Sequence, residues 1–175
     1  PGVFEERAIP VDSLAGEILW QREGGKLALD VNDLRFGNAD AEGEAQGSWR
    51  SGEAPGHPGV LDLQGSLKRA DGTRVWRYLP LGVNADARHY VRDAVTAGVS
   101  TGARFRVKGD LRHFPFVDGR NGQFLITAQV RDVSFAYVPP GLAKPGQAWP
   151  ALSDLSAELQ CEANGMRIKG ATGAF

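Results

Sequence analysis

The residues with most to offer chemistry are His57, His89, His113, Cys161, the acidic pair Glu42 and Glu44, and Asp118. Catalysis needs a converging acid, base or nucleophile. His57 stands in a Pro/Gly stretch, His89 on a helix flank and His113 at a strand end; none has partners at zinc-ligand spacing. Glu42 and Glu44 share one strand face, which suits general acid–base work but is also the ordinary look of a solvated sheet face. Asp118-Gly119-Arg120-Asn121-Gly122 resembles a calcium loop but lacks its run of acids, so it reads as a turn. Gly-x-Ser-x-Gly, a phosphate loop and a dinucleotide fingerprint are all missing. Arg104, Arg106, Lys108 and Arg112 alternate along one strand and could track phosphates. Nucleic-acid binders carry a net basic balance, however, and this chain has a formal net charge of −1. A single cysteine excludes an internal disulfide, and the parity of Cys161 puts it on an apolar strand face as a buried, inert thiol. The sequence therefore reads as a protein with no catalytic residue, no metal, no cofactor and no nucleic acid.

The elements that would position any site are strands. Gly102 to Val138 reads as a long hairpin. Ala103, Phe105, Val107 and Leu111 hold one parity; Arg104, Arg106, Lys108, Asp110 and Arg112 hold the other. Val117 to Gly122 is the turn, and Phe124, Ile126, Ala128 and Val130 return on the dry side. At Arg131-Asp132 the parity flips to Val133, Phe135 and Tyr137, which predicts a bulge or sharp bend.

Upstream, Leu14–Gln21 and Leu27–Val31 flank a Glu23-Gly24-Gly25 turn. Asn32-Asp33 reads as a break before a short piece carrying Leu34 and Phe36. Ala41–Arg50 alternates Ala and Gly with Glu and Gln; Ser51–Pro58 is a loop; Val60–Lys68 carries Leu61, Leu63 and Leu67 on its dry side. Ala70-Asp71-Gly72 reads as a hairpin turn with Arg74–Leu79 returning as a strand. One short amphipathic helix is expected over 84–97. Asn84 caps it, Gly98 ends it, and its stripe is Ala87, Tyr90, Val91, Ala94 and Val95. After a Pro-rich loop from Pro139 to Pro150, Leu155–Ala163 alternates again, Asn164-Gly165 turns, and Met166 and Ile168 lead out. Asp12–Ile18 resembles Ser153–Leu159 at an offset of about 141 residues, a weak repeat. It predicts one β unit over 1–150 and a truncated next unit over 151–175, within a piece cut from a longer protein.

Many dry positions are small: Gly16, Gly43, Ala45, Gly47, Gly65, Ala103, Gly109, Ala128 and Ala157. A close-packed core wants larger side chains. Either a second layer packs tightly on this face, or the sheet curls into a trough that stays apolar and open to acyl chains. Periodicity alone leaves both readings standing.

The run Tyr78-Leu79-Pro80, then Gly109-Asp110-Leu111 with Phe114-Pro115-Phe116, Gly122-Gln123-Phe124 and Trp149-Pro150-Ala151-Leu152, resembles the YhdP branch of the AsmA-like proteins of Gram-negative bacteria. The motifs cover about Arg74 to Phe175 and occur in the family's order. The resemblance implies a mainly β fold: a long, strongly curved antiparallel sheet forming an open, taco-like groove. It implies a periplasmic body tethered to the inner membrane by a segment outside this sequence. It also implies movement of phospholipid between inner and outer membranes without covalent chemistry. Strand parity then nominates the acyl-chain contacts: Leu61, Leu63, Leu67, Phe105, Val107, Leu111, Phe124, Ile126, Val130, Val133 and Phe135. Arg104, Arg106 and Lys108 would lie outside such a trough. Two other readings remain: a structural or adaptor β-domain without lipid, and an envelope or carbohydrate enzyme resting only on Trp and acidic residues along strands.

Overall fold

A computed structural model describes residues 4–143 and 149–174. Eight antiparallel strands form one sheet in the order β1 to β8, each paired only with its chain neighbours. They are β1 (Ser13–Glu23), β2 (Lys26–Gly37), β3 (Ala41–Arg50), β4 (Val60–Asp71), β5 (Val95–Asp110), β6 (Gly122–Phe135), β7 (Leu152–Glu162) and β8 (Gly165–Ala174). The sheet does not close: β1 and β8 are both edges, and both are exposed along their whole length. The accessible surface is 11433 Å². A compact 18.8 kDa monomer would show about 8,300 Å². The excess is that of a sheet with no second sheet against it.

Alternation fails in several strands and is repaired by bulges. In β2 the register shifts between Val31 and Leu34, with Asp33 at φ 48°. In β6 it shifts between Val130 and Val133, with Asp132 at φ 55°. In β7 Asp154 stands at φ 51° between Leu152 and Leu155. All three sites read apolar-x-Asp-apolar. The extra residue returns the following apolar side chain to the original face. Aspartate is one of the few L-residues that enters the left-handed region readily. Asn32-Asp33 is thus a bulge inside one continuous strand, not a break. The flip at Arg131-Asp132 is the bulge its pattern predicts.

Other expectations change. Gly72–Tyr78 is a 3-10 helix rather than a returning strand; Asp71 caps it by accepting from Thr73 N at 2.8 Å. The partner of β4 is β5 instead. The α-helix, α1, spans Ala85–Ala94, capped by Asn84 as expected, and ends three residues short of the predicted 97. Val95 already belongs to β5, and Gly98 (φ 125°) lies in that strand against Val133, where a Cβ would be 2.8 Å from its Cα. On the helix, Tyr90 and Val91 are half-buried and Ala94 is buried, but Ala87 is exposed and Arg88 is buried in its place. The long hairpin is longer than predicted at its start, since β5 begins at Val95. Its connection, 111–121, opens with a 3-10 turn at Leu111–His113. Gly24 (φ 55°) and Gly25 (φ 81°) make the tight β1–β2 loop, where positive φ is required twice. The β7–β8 loop is Ala163-Asn164, between paired Glu162 and Gly165. Matched at these loops, the two hairpins are offset by 139 residues (162 − 23) rather than 141, a difference of two that keeps parity. Residues 144–148 of the Pro-rich loop and the terminal residues 1–3 and 175 lie outside the described residues.

A polar latch holds the 72–94 excursion to the sheet. Arg77 bonds both oxygens of Glu6 at 2.6 Å and also Asp40. Tyr78 Oη lies 2.9 Å from Asn38 Nδ2 and 3.2 Å from Asp40 Oδ2. Arg88 reaches Glu5 and the carbonyl of Val83. The Arg77 hydrogen bond holds the Glu6 carboxyl below its ordinary range and raises the guanidinium.

Two measurements check these readings. Replacing Asp132 by Val, which resists φ > 0, should cost about 1–2 kcal/mol in urea unfolding, while Asp132→Gly should be near neutral. Equal midpoints for the two would deny the bulge its role. Because the folded pKa of Glu6 is depressed, its contribution exists above the unfolded value and fades as pH falls through the folded one. Glu6→Gln should therefore lower the melting temperature at pH 7, and the gap to the parent should close below about pH 4.5.

Candidate functional site

With phase restored by bulges, apolar positions line up across strands. One row runs Leu14–Phe36–Gly43–Leu67–Ala103–Ala128–Leu159–Ile168 through all eight strands. The next runs Leu34–Ala45–Gly65–Phe105–Ile126–Cys161–Met166. A third runs Ile18–Val31–Gly47–Leu63–Val107–Phe124. Together they make one apolar face about 4.8 Å wide per strand and eight strands broad.

Of the sequence-predicted contacts, Leu61, Leu63, Leu67, Phe105, Val107, Phe124, Ile126, Val130 and Val133 share this face, and Phe135 follows Val133 on it at the helical end. Leu111 does not sit on a strand. It opens the 3-10 turn, its N–H donating to Gly59 O at 3.0 Å, because the chain leaves the sheet after Asp110. All eleven are half-buried. The buried apolar residues are mostly small ones: Ala41, Ala45, Ala70, Ala94, Ala103 and Ala157, with Leu155, Phe116 and Pro139. Packing by this chain thus leaves the larger side chains of the face partly in contact with solvent.

The small positions do a specific job. A Cβ at Gly65 would lie 2.5 Å from Phe105 Cζ, and one at Gly43 would lie 2.7 Å from Leu67 Cδ2. Large side chains lean over their glycine neighbours in the same row. The room above Gly65 and Gly43 is taken by Phe105 and Leu67, so the face is shallow rather than pitted there. Cys161 sits in the Phe105 row between Ile126 and Met166, half-buried, and burial pushes its thiol up.

The opposite face is charged and self-paired. Asp62 holds Arg106 at 2.8 Å and Lys108 at 3.0 Å; Arg106 also donates to Gln64. Ser66 donates to Glu44 at 3.2 Å, and Lys68 stands 3.8 Å from Glu42. Of the two carboxylates singled out for acid–base work, Glu42 thus faces an ammonium and Glu44 a hydroxyl, both on an open surface. Asp118 accepts from Arg120 N and stabilises its own turn. His57 Nδ1 accepts from Gly59 N, and its Nε2 lies 3.5 Å from Asp110. Among the described residues no group of three His, Cys, Asp or Glu side chains could hold a metal, and no helix is long and apolar enough to cross a membrane. A hollow of about 620 Å³ lies on this charged face, lined chiefly by Arg35, Glu44, Gln64, Ser66, Arg104 and Arg106. Sequence reasoning saw the charged row and not the hollow, which needs five strands, β2 to β6, in register.

Two elements reach over the apolar face. From one end, α1 places Tyr90 edge-on to Phe135 at 6.4 Å, and its hydroxyl donates to Tyr137 O at 3.0 Å. From the other, Phe116 is only 2 % exposed and lies on Gly109 and Gly122, where a Cβ would meet its ring at 2.9 and 2.6 Å. Phe114 packs edge-on to Phe116 and Phe124 at 5.9 and 5.2 Å. The Phe-Pro-Phe motif is a clamp on the sheet.

If Phe105 occupies the space above Gly65, Gly65→Val should destabilise the fold by about 1–3 kcal/mol in urea unfolding, the range for overpacking. An unchanged midpoint would mean that the face is looser than its geometry.

The sequence model described as YhdP protein matches residues 1–175. No curated protein and no solved structure matches the chain.

Proposed function

Because the chain belongs to the YhdP family, we propose that it is a segment of a lipid conduit in the cell envelope. Phospholipid acyl chains lie on the apolar face, headgroups stay in water, and no covalent step occurs. The parent protein would carry phospholipid between inner and outer membranes from the periplasm, tethered to the inner membrane elsewhere in its chain. The observation that carries this reading is the eight-strand apolar face whose large side chains remain half-exposed. Such a surface is unfavourable in water by about 25 cal/mol per Å², and each methylene that covers it recovers about 0.8 kcal/mol. The ten strand residues named above supply the contact, with Leu111 at its margin.

A second reading is a structural or adaptor β-domain. It is favoured by the position of the 620 Å³ hollow, which lies on the charged face rather than the apolar one. Extraction of the purified chain with organic solvent, followed by mass spectrometry, separates the two. The conduit expects co-purifying phospholipid. It also expects Ile126→Asp to remain folded by circular dichroism while losing lipid about tenfold or more, because a carboxylate against hydrocarbon costs well over 1.4 kcal/mol. A lipid-free parent, with Ile126→Asp unfolded, is the adaptor's result.

A further inference from the structure

The 79–83 connection and the 111–121 loop meet at Gly82 and Phe114. Gly82 faces Phe114: a Cβ there would sit 3.6 Å from Cδ1 and 4.0 Å from Cε1 of that ring, in ordinary contact. Each side is anchored separately. The 72–94 excursion is fixed by Arg77 to Glu6 and Asp40 and by Tyr90 on Phe135. The loop is fixed by Phe116 on Gly109 and Gly122. The excursion leaves the sheet beside the start of β5, where a Cβ at Gly72 would meet Gly98 O, and Phe116 lies on Gly109 near the other end of that strand. Those ends are about 36 Å apart along the strand. Between them lie Ala103, Phe105 and Val107, the β5 members of the three apolar rows.

Among the described residues no hydrogen bond joins the two sides of this span. Where they meet, a glycine lies against an aromatic edge. Such a junction separates at small cost, since it exposes no polar group, while both anchors stay in place. The rows from β3 to β7 cross β5 between these two ends, so hydrocarbon following them would pass the stretch that the span bridges.

We infer that the Gly82–Phe114 contact is the keystone of an openable arch across the apolar face, which controls passage of acyl chains over β5. The inference rests on the lipid reading above and adds to it a step that limits rate rather than binding. The test uses the full chain and vesicles of phosphatidylethanolamine and phosphatidylglycerol carrying pyrene-labelled phosphatidylethanolamine, with bound probe and vesicle-to-vesicle transfer measured separately. Phe114→Ala should raise the transfer rate several-fold with bound probe nearly unchanged, and Gly82→Leu, which thickens the junction, should lower it. Phe114→Leu, which keeps most of the packing on Phe124, should fall between parent and Phe114→Ala. It decides the matter with Gly82→Leu if the alanine variant fails to fold. Variants that bind probe as the parent does and transfer it at the parent's rate overturn the arch and leave the lipid reading intact. No probe bound by parent or variants overturns both.

Discussion

Phase is the constraint on which this structure depends. A sheet with one apolar face works only if every strand presents its apolar residues to the same side, and a slip of one residue reverses a whole strand. Strands of ten to sixteen residues are long enough for twist to accumulate and for rows to drift out of line. Asp33, Asp132 and Asp154 correct the drift inside β2, β6 and β7. Opposite the first of them, Gly16 in β1 comes so close to Leu34 that a Cβ would stand 2.8 Å from its Cα. Register shifts occur in every strand pair except β4–β5.

The open face is compatible with a folded chain because stability is drawn from elsewhere. Ladders link all eight strands, with bulges between, and small residues are buried where strands approach. Leaning side chains cover their glycine neighbours. The charged face contributes modestly, since exposed ion pairs such as Lys26–Glu53 are each worth little. Arg106 and Lys108 converging on Asp62 form a small network, which orders three side chains across β4 and β5. At the helical end the more enclosed Arg77–Asp40–Glu6 group ties the N-terminal lead-in, the β2–β3 turn and the 3-10 helix into one unit.

That unit and the aromatic loop both stand against the middle of the sheet. The apolar rows run across the strands, from β1 to β8. The flanks of the sheet, β1 to β3 and β7 to β8, have no comparable cover among the described residues; Leu14, Ile18 and Trp20 at one edge are 56–70 % exposed.

Period-two alternation was enough to read a mainly β protein, its two faces and ten of the eleven face residues, and a helical stripe behind Asn84 was enough to read the helix, because both periods are local properties of the chain. The Arg131-Asp132 bulge was legible for the same reason, and its twin at Asn32-Asp33 was misread only because a parity slip and a strand break look alike without a partner strand. The 3-10 helix at Gly72–Tyr78 and the burial of Arg88 were not legible. Val75, Trp76 and Tyr78 suit a strand locally, and only the Glu6 and Asp40 carboxylates, distant in sequence, make Arg77 and its neighbours stay where they are. Whether Gly65 leaves a gap or shelters Phe105, and whether Phe114 meets Gly82, depends on which strands become neighbours. Parity assigns a side chain to a face; only tertiary pairing decides what covers it.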